Sequence, residues 1–127
     1  MTVRIIPITR RDDLTFHPDG RIDLTAHVAD ALSLQAGDVI NIACVGERFA
    51  EHYLYVARRA GETVGRHACC CRPAKNNGRY LRVNSKRLTD YVRALVHAAG
   101  TVRLRVGTPE EVAGLGHALP MILQSSR

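Results

Sequence analysis

The sequence has no tryptophan, and aromatic residues make up only 5% of it. Proteins that bind single-stranded nucleic acid commonly stack bases on several aromatic side chains. Four Tyr and two Phe supply little material for such a platform. This scarcity argues against a single-strand binder and predicts a core made of aliphatic side chains.

Long apolar runs are also missing, since no stretch approaches the ~18 residues that a membrane-spanning helix needs. The apolar patch near the amino terminus is short, and charged residues follow it at once, which is not typical of a signal peptide. We therefore expect a cytoplasmic protein with no membrane partner. In a reducing compartment its four cysteines are expected to be free thiols: Cys44, Cys69, Cys70 and Cys71.

Recognisable catalytic motifs are absent from the sequence. It contains no nucleophile elbow, paired-carboxylate pattern, phosphate-binding loop or dinucleotide-binding fingerprint. The six His are scattered singly. These observations predict a protein that is not an enzyme and needs no cofactor.

One cysteine-rich run, residues 67–71, suggests a metal site at first sight. In an extended strand His67, Cys69 and Cys71 would share one face, but neighbours two apart stand about 6–7 Å from each other. That spacing is too wide to hold one tetrahedral ion without bending the strand. We interpret these residues as small side chains that fill a barrel strand, and predict no metal.

The length of 127 residues predicts a single domain spanning 1–127, large enough to fold without disulfides or metal. Its positive charge is unevenly distributed. Residues 1–57 carry 5 Lys/Arg and 8 Asp/Glu, a net charge of −3, whereas residues 58–105 carry 12 Lys/Arg against 2 acids, a net charge of +10. Such polarity indicates a polyanion or an acidic surface as partner.

Two stretches of the chain share one layout, which indicates an internal duplication with repeats at approximately 14–57 and 67–123. Each begins with a candidate strand and a turn that ends in Gly-Arg. The turn residues are Pro18-Asp19-Gly20-Arg21 in the first copy and Asn76-Asn77-Gly78-Arg79 in the second. Both compositions are typical of hairpins, so each copy is predicted to open with two paired strands.

A helix and a further strand follow in both copies. Thr25 and Asn84 are the predicted helix caps. Residues at helical spacing lie behind each cap: Val28, Ala31 and Leu32, then Leu88, Tyr91, Val92 and Leu95. Gly37 and Gly100 are expected to end the helical stretches, and β-branched strands close both copies at Val39–Ile42 and Val102–Val106.

The remaining segments complete the predicted layout. Additional strands are expected at Val3–Ile8, Tyr53–Ala57 and Met121–Leu123, a connector at Arg58–Arg66, and a loop at Gly107–Pro120 with a short helical turn at Pro109–Val112. The predicted fold class is α+β, mainly β: a small barrel-like domain from two ββαβ(β) repeats with pseudo-two-fold symmetry.

The segment GRIDLTAHVADALSLQAGDVINI resembles the AbrB/MazE-type swapped-hairpin (cradle-loop) barrel family. The residues that carry the resemblance are Gly20, Arg21, Ile22, Leu24, Val28, Leu32, Leu34, Gly37, Asp38, Val39 and Ile42. The resemblance implies two interleaved units in one barrel that binds DNA through basic residues, here with both units carried by one chain as a fused pseudo-dimer. It implies a DNA-binding regulator or antitoxin-like protein that acts in transcription regulation, with a homodimer as a further expectation.

The basic segment KNNGRYLRVNSKRL is the strongest candidate for the DNA-binding site. Its charges surround one turn, one strand and one helix start, where free backbone amides also favour phosphate. The candidate residues are Lys75, Arg79, Arg82, Asn84, Ser85, Lys86 and Arg87. Duplex DNA is the expected ligand.

A second hypothesis remains open at this point. Duplicated double-psi barrels share the same order of elements and often serve as protein-binding modules. The alternative function is therefore a non-enzymatic interaction module of a larger complex.

Overall fold

A computed structural model of the protein describes residues 13–46, 51–61, 71–74 and 77–123. Within these ranges the chain is mainly β, with two α-helices and one short 3-10 helix. The elements are β1 (Leu14–Phe16), β2 (Arg21–Leu24), α1 (Ala26–Leu32), β3 (Ile40–Val45), β4 (Glu51–Val56), the 3-10 helix (Ala57–Ala60), β5 (Arg72–Ala74), β6 (Asn77–Asn84), α2 (Lys86–Leu95), β7 (Val102–Val106), β8 (Glu110–Val112) and β9 (Gly116–Ile122). The predicted mainly β class is confirmed.

The strands form one antiparallel sheet in the order β3-β4-β9-β7-β1-β2-β6-β5, with β8 paired to β9. The sheet curls into a half-barrel. Its two ends approach each other just before β3 and β5. The amide of Gly37 donates to the carbonyl of Cys71 at 2.8 Å, and the amide of Cys71 donates to the carbonyl of Asp38 at 2.7 Å.

The main core lies between the inner face of the sheet and the two helices. Alternate residues of β1, β2, β6 and β7 point into it, as the period-2 pattern predicts. Among the described residues, Phe16 is the one aromatic side chain of this core, and its other members are aliphatic apart from Cys71 and Met121. A second, smaller cluster contains the buried Tyr53 and Tyr55 with Ala118, so the prediction of an aliphatic core holds for the main cluster alone. Each fully buried Leu, Ile or Val contributes about 1.5–3 kcal/mol to folding. The core helix positions include Val28, Leu32, Leu88 and Val92.

The β1–β2 hairpin has its turn where the sequence predicts it. Gly20 has a φ of +102°, and its amide donates to the carbonyl of His17 at 2.9 Å. A Cβ on Gly20 would lie only 3.1 Å from the amide nitrogen of Lys86. The amide of Ser85 donates to the carbonyl of Gly20 at 2.8 Å. Because glycine has no side chain, this turn can pack directly against the start of α2.

The helix ends differ from the sequence prediction. The cap of α2 is Ser85, whose hydroxyl accepts from the amide of Leu88 at 3.1 Å, while Asn84 is the last residue of β6. Thr25 is the N-cap residue of α1, as predicted, but it makes no side-chain capping bond. α1 ends at Ser33, which adopts φ +51°, well before Gly37. The amides of Ser33 and Leu34 donate to the carbonyls of Asp30 and Ala29 at 3.2 and 2.8 Å, so backbone bonds close this helix end with Ser33 in the left-handed conformation.

Several predicted segments also need correction. The segment 107–120 is not a loop, because it contains β8 and most of β9, and Pro109–Val112 is extended rather than helical. Strand pairing with β9 overrides the turn-forming composition there. Tyr91 is 43% exposed instead of buried. β6 begins at Asn77, so three of the four residues of the predicted Asn-Asn-Gly-Arg turn belong to the strand, and Asn76 lies outside the described residues.

Two other predicted strands can be compared directly with the structure. Val102–Val106 is confirmed, and Tyr53–Ala57 corresponds to β4 with a 3-10 helix at its end. The strand predicted at Val3–Ile8 lies outside the described residues, as does most of the connector predicted at Arg58–Arg66. No helix of the described residues is long and apolar enough to cross a membrane.

Candidate nucleic-acid interface

Polar and charged side chains cover the outer face of the sheet at β7, β1, β2 and β6. Pairing registers place Arg103 opposite Thr15, Thr15 opposite Asp23, and Asp23 opposite Arg82. Residues directly opposite on neighbouring antiparallel strands share one face of the sheet. These four residues therefore form one row across four strands, which we call the outer row.

Asp23 stands at the centre of a cluster of basic groups within this row. Its Oδ1 accepts from the Nε of Arg82 at 2.9 Å, and its Oδ2 lies 3.0 Å from the Nε2 of His17. The same Nε2 also lies 3.1 Å from the Nη2 of Arg21, so the His17 ring contacts both the carboxylate and a guanidinium. The Nε of Arg21 lies 3.6 Å from the same Oδ2. One carboxylate thus compensates only part of the positive charge around it.

The environment of Asp23 alters its acidity. Burial raises the pKa of the carboxyl, but hydrogen bonds from Arg82 and His17 and the positive charges of Arg82 and Arg21 outweigh this effect. The net result is a pKa below the ordinary value for aspartate. Asp23 is therefore ionised at neutral pH.

The start of α2 adjoins the outer row. Arg21 lies opposite Asn84 in the β2–β6 pairing, directly before the Ser85 cap. The side chain of Lys86 is exposed, and its Nζ forms an ion pair with Asp90 at 2.8 Å. Arg87 is also exposed. No acidic residue lies in the first turn of α2, so this helix end is positive in both its side chains and its dipole.

The structure brings together five of the predicted site residues along β6 and the α2 start: Arg82, Asn84, Ser85, Lys86 and Arg87. Lys75 lies outside the described residues, and of Arg79 the structure describes only the backbone, within β6. Arg82 faces away from the core as predicted, but its side chain is only 34% exposed because it pairs with Asp23. The hydroxyl of Ser85 already serves as the helix cap.

Sequence reasoning missed several residues on the same face. Arg103 and Arg105 alternate with the buried Val102, Leu104 and Val106, and both are exposed. That period-2 pattern was a usable signal for two outward arginines. Arg21 and His17 had no such signal, because only the pairing of β2 with β6 brings them beside Arg82.

A second feature lies on β4, β8 and β9. A cleft of about 320 Å³ is lined by Glu51, His52, Glu110, Pro120, Met121 and Leu123. The hydroxyl of Tyr53 donates to Glu51 at 2.6 Å. That bond, burial of the phenol and the nearby charge of Glu110 raise the pKa of Tyr53 to about 12.

His52 borders this cleft and is 5% exposed. Its Nε2 lies 2.9 Å from the hydroxyl of Tyr91 on α2, so the cleft is linked to the helix that begins at the outer row. Burial lowers the pKa of His52, which favours the neutral imidazole at pH 7.

Cys44 is exposed and Cys71 is buried in the main core, and both are free thiols. Across the described ranges, no group of three His, Cys, Asp or Glu side chains is placed to hold a metal ion. Comparison of the chain with protein-family models, curated proteins and solved structures gives no match.

Proposed function

We propose that this protein binds duplex DNA through the outer row and the start of α2, as a DNA-binding regulator or antitoxin-like protein without catalytic activity. The observation that carries the proposal is the placement of Arg82 and Arg103 in one solvent-facing row beside Lys86 and Arg87. Guanidinium groups bind phosphate oxygens through paired donors, and arginine on a regular strand is well positioned to do so.

Dimensions support contact with a duplex. Arg103 and Arg82 are three strand steps apart, which amounts to about 14 Å across the sheet. The major groove of B-form DNA is ~12 Å wide. Phosphates on the two sides of a groove therefore match the two ends of the outer row.

We further propose that the chain is built from two ββαβ(β) repeats with pseudo-two-fold symmetry, a fused pair of swapped-hairpin units. The order β1-β2-α1-β3-β4 corresponds to β5-β6-α2-β7-β9. If each strand of the first repeat is exchanged with its counterpart in the second, the β1–β2 pair corresponds to β5–β6 and the β3–β4 pair corresponds to β7–β9. The β2–β6 and β4–β9 pairs each correspond to themselves. Each of these pairs is present in the sheet, which is the relationship expected of two equivalent units.

The remaining pair in this scheme is β1–β7, whose counterpart is β5–β3. Here the support is a pair of backbone hydrogen bonds directly before those two strands: Cys71 accepts from the amide of Gly37 and donates to the carbonyl of Asp38. When Leu24 of the first repeat is aligned with Val83 of the second, Arg82 stands at the position that corresponds to Asp23. The proposed DNA-binding face is therefore alike in shape but unlike in charge on its two halves.

Fluorescence anisotropy with a labelled duplex tests the binding proposal directly. We expect binding at low salt, with the logarithm of affinity falling linearly with the logarithm of salt at about 0.9 per neutralised phosphate. Failure to bind duplexes of mixed sequence at low salt would overturn it. A single-stranded oligonucleotide of equal length is the matched ligand, and we expect it to bind more weakly because few aromatic side chains are present.

An interaction module of a larger complex is the second candidate, and the acidic cleft on β4, β8 and β9 favours it. Glu51 and Glu110 both lie close to the Tyr53 hydroxyl, which has one proton and can therefore donate to only one of the two carboxylates at a time.

Freshly purified protein distinguishes the two candidate functions by its ratio of absorbance at 260 and 280 nm. A ratio typical of bound nucleic acid supports DNA binding, and light scattering reports whether the protein is also a homodimer.

A further inference from the structure

We propose that Asp23 restrains the outer row, so that polyanions bind this face more weakly than its arginines would otherwise allow. The inference rests on the proposed function, because it concerns the same surface. The carboxylate contacts three basic side chains at once: it accepts a hydrogen bond from the Nε of Arg82, lies within hydrogen-bond distance of the Nε2 of His17, and forms a longer ion pair with Arg21.

The geometry of the cluster explains the restraint. The Oδ1 of Asp23 accepts from the Nε of Arg82 at 2.9 Å, and its Oδ2 lies 3.6 Å from the Nε of Arg21, which is an ion pair beyond hydrogen-bond distance. A phosphate that binds a guanidinium in the bidentate manner uses the same kind of donor edge. Asp23 therefore competes with an incoming phosphate for donors, and its negative charge also repels the phosphate.

The cluster is partly shielded from water, which strengthens both effects. The side chains of His17, Asp23 and Arg82 are 20%, 29% and 34% exposed. Charges in such a setting are screened less by solvent than freely exposed ones. A phosphate must therefore offer better geometry than Asp23 to engage Arg82, whereas Arg103 is exposed and Lys86 is exposed with Asp90 as its ion-pair partner.

Replacing the carboxylate tests this role. We expect Asp23→Asn to bind duplex DNA more tightly at low salt than the wild-type protein. With one further cation released, its salt dependence should steepen by about 0.9, so that it loses about 3.5-fold more affinity between about 50 and about 200 mM salt. Glu111→Gln is the matched control, because it removes one negative charge from β8 and should leave both quantities unchanged.

A heparin column provides a second readout that does not depend on DNA binding. We expect Asp23→Asn to elute at higher salt than the wild type, and Asp23→Glu, which keeps the charge, to elute close to it. Unchanged or earlier elution of Asp23→Asn, with native circular dichroism, would overturn the restraint. Absence of duplex binding by the wild type together with later elution of Asp23→Asn would overturn the proposed function alone. Asp23→Ser serves the same test if the Asn variant does not fold.

Discussion

Asp23 on β2 and Arg82 on β6 lie directly opposite each other, 59 residues apart in the chain, and are joined by a 2.9 Å hydrogen bond. The bond connects the acidic first half of the chain to its basic second half on the outer face of the sheet. It therefore links the stability of the sheet to the charge of the proposed interface.

The contribution of this pair to stability should depend on pH. The pKa of Asp23 is lower in the folded protein than its ordinary value of 3.8. Folding thus favours the ionised form, and the stabilisation is present above pH 3.8 and lost as pH falls through the folded pKa. Urea unfolding at neutral pH should show Asp23→Asn destabilised by up to about 1 kcal/mol, since the pair is partly exposed. The difference should shrink at pH about 3, and a difference that grows on acidification would contradict the assignment.

Replacing both Lys86 and Arg87 by Gln should reduce the salt slope of DNA affinity by about two units, because each neutralised phosphate contributes about 0.9. Stability should change little, as solvent-exposed charges contribute roughly 0–1 kcal/mol. Anisotropy titrations over a range of salt concentrations measure the slope. Arg58→Gln is the control, since Arg58 is exposed on the 3-10 helix that follows β4. An unchanged slope in the double variant would remove the α2 start from the interface.

Arg103 offers an independent test of the outer row. Arg103→Gln should lower the salt slope by about one unit, whereas Arg103→Lys should keep the slope but weaken binding, because lysine cannot bind a phosphate through two parallel donors. The same anisotropy measurement separates these outcomes. If Arg103→Gln binds like the wild type, β7 is not part of the DNA-binding surface.

The close contact between Gly20 and α2 should make that glycine intolerant of a side chain. Gly20→Ala forces a non-glycine residue into the left-handed region, which costs about 1–2 kcal/mol, and also presses its Cβ against the Lys86 backbone. Gly37→Ala is the matched control, because Gly37 has φ +94° but no atom within 4 Å of its would-be Cβ. Urea unfolding should show Gly20→Ala as the less stable variant. Equal losses of stability would mean that the contact with α2 is unimportant.

The two helix starts should respond differently to removal of their cap residues. Ser85→Ala deletes the acceptor of the Leu88 amide and should cost about 1 kcal/mol of unfolding free energy. Thr25→Ala should cost clearly less, because Thr25 makes no side-chain capping bond. Chemical denaturation of the two variants measures this difference. A larger loss for Thr25→Ala would contradict the described cap of α1.

Local patterns in the sequence predicted much of what the structure contains. The Pro-Asp-Gly-Arg turn, the strand at Val102–Val106 and the core positions of α2 at Leu88 and Val92 all follow from turn chemistry and periodicity. Patterns failed where a distant strand decided the outcome. The segment 107–120 has the composition of a loop, yet pairing with β9 makes β8 extended. Tyr91 has helical core spacing, yet its hydroxyl reaches His52 on β4 instead of the core.

The candidate site divides in the same way. Composition and spacing alone determined that positive charge is concentrated in the second half of the chain, and that Arg82, Lys86 and Arg87 lie on one strand and the helix after it. Only the tertiary structure decided that Asp23, His17 and Arg21 share the face with Arg82, because β2 and β6 are far apart in sequence and neighbours in the sheet. The register between two strands is set by burying the apolar faces of both strands together, and no local segment of the sequence contains that information.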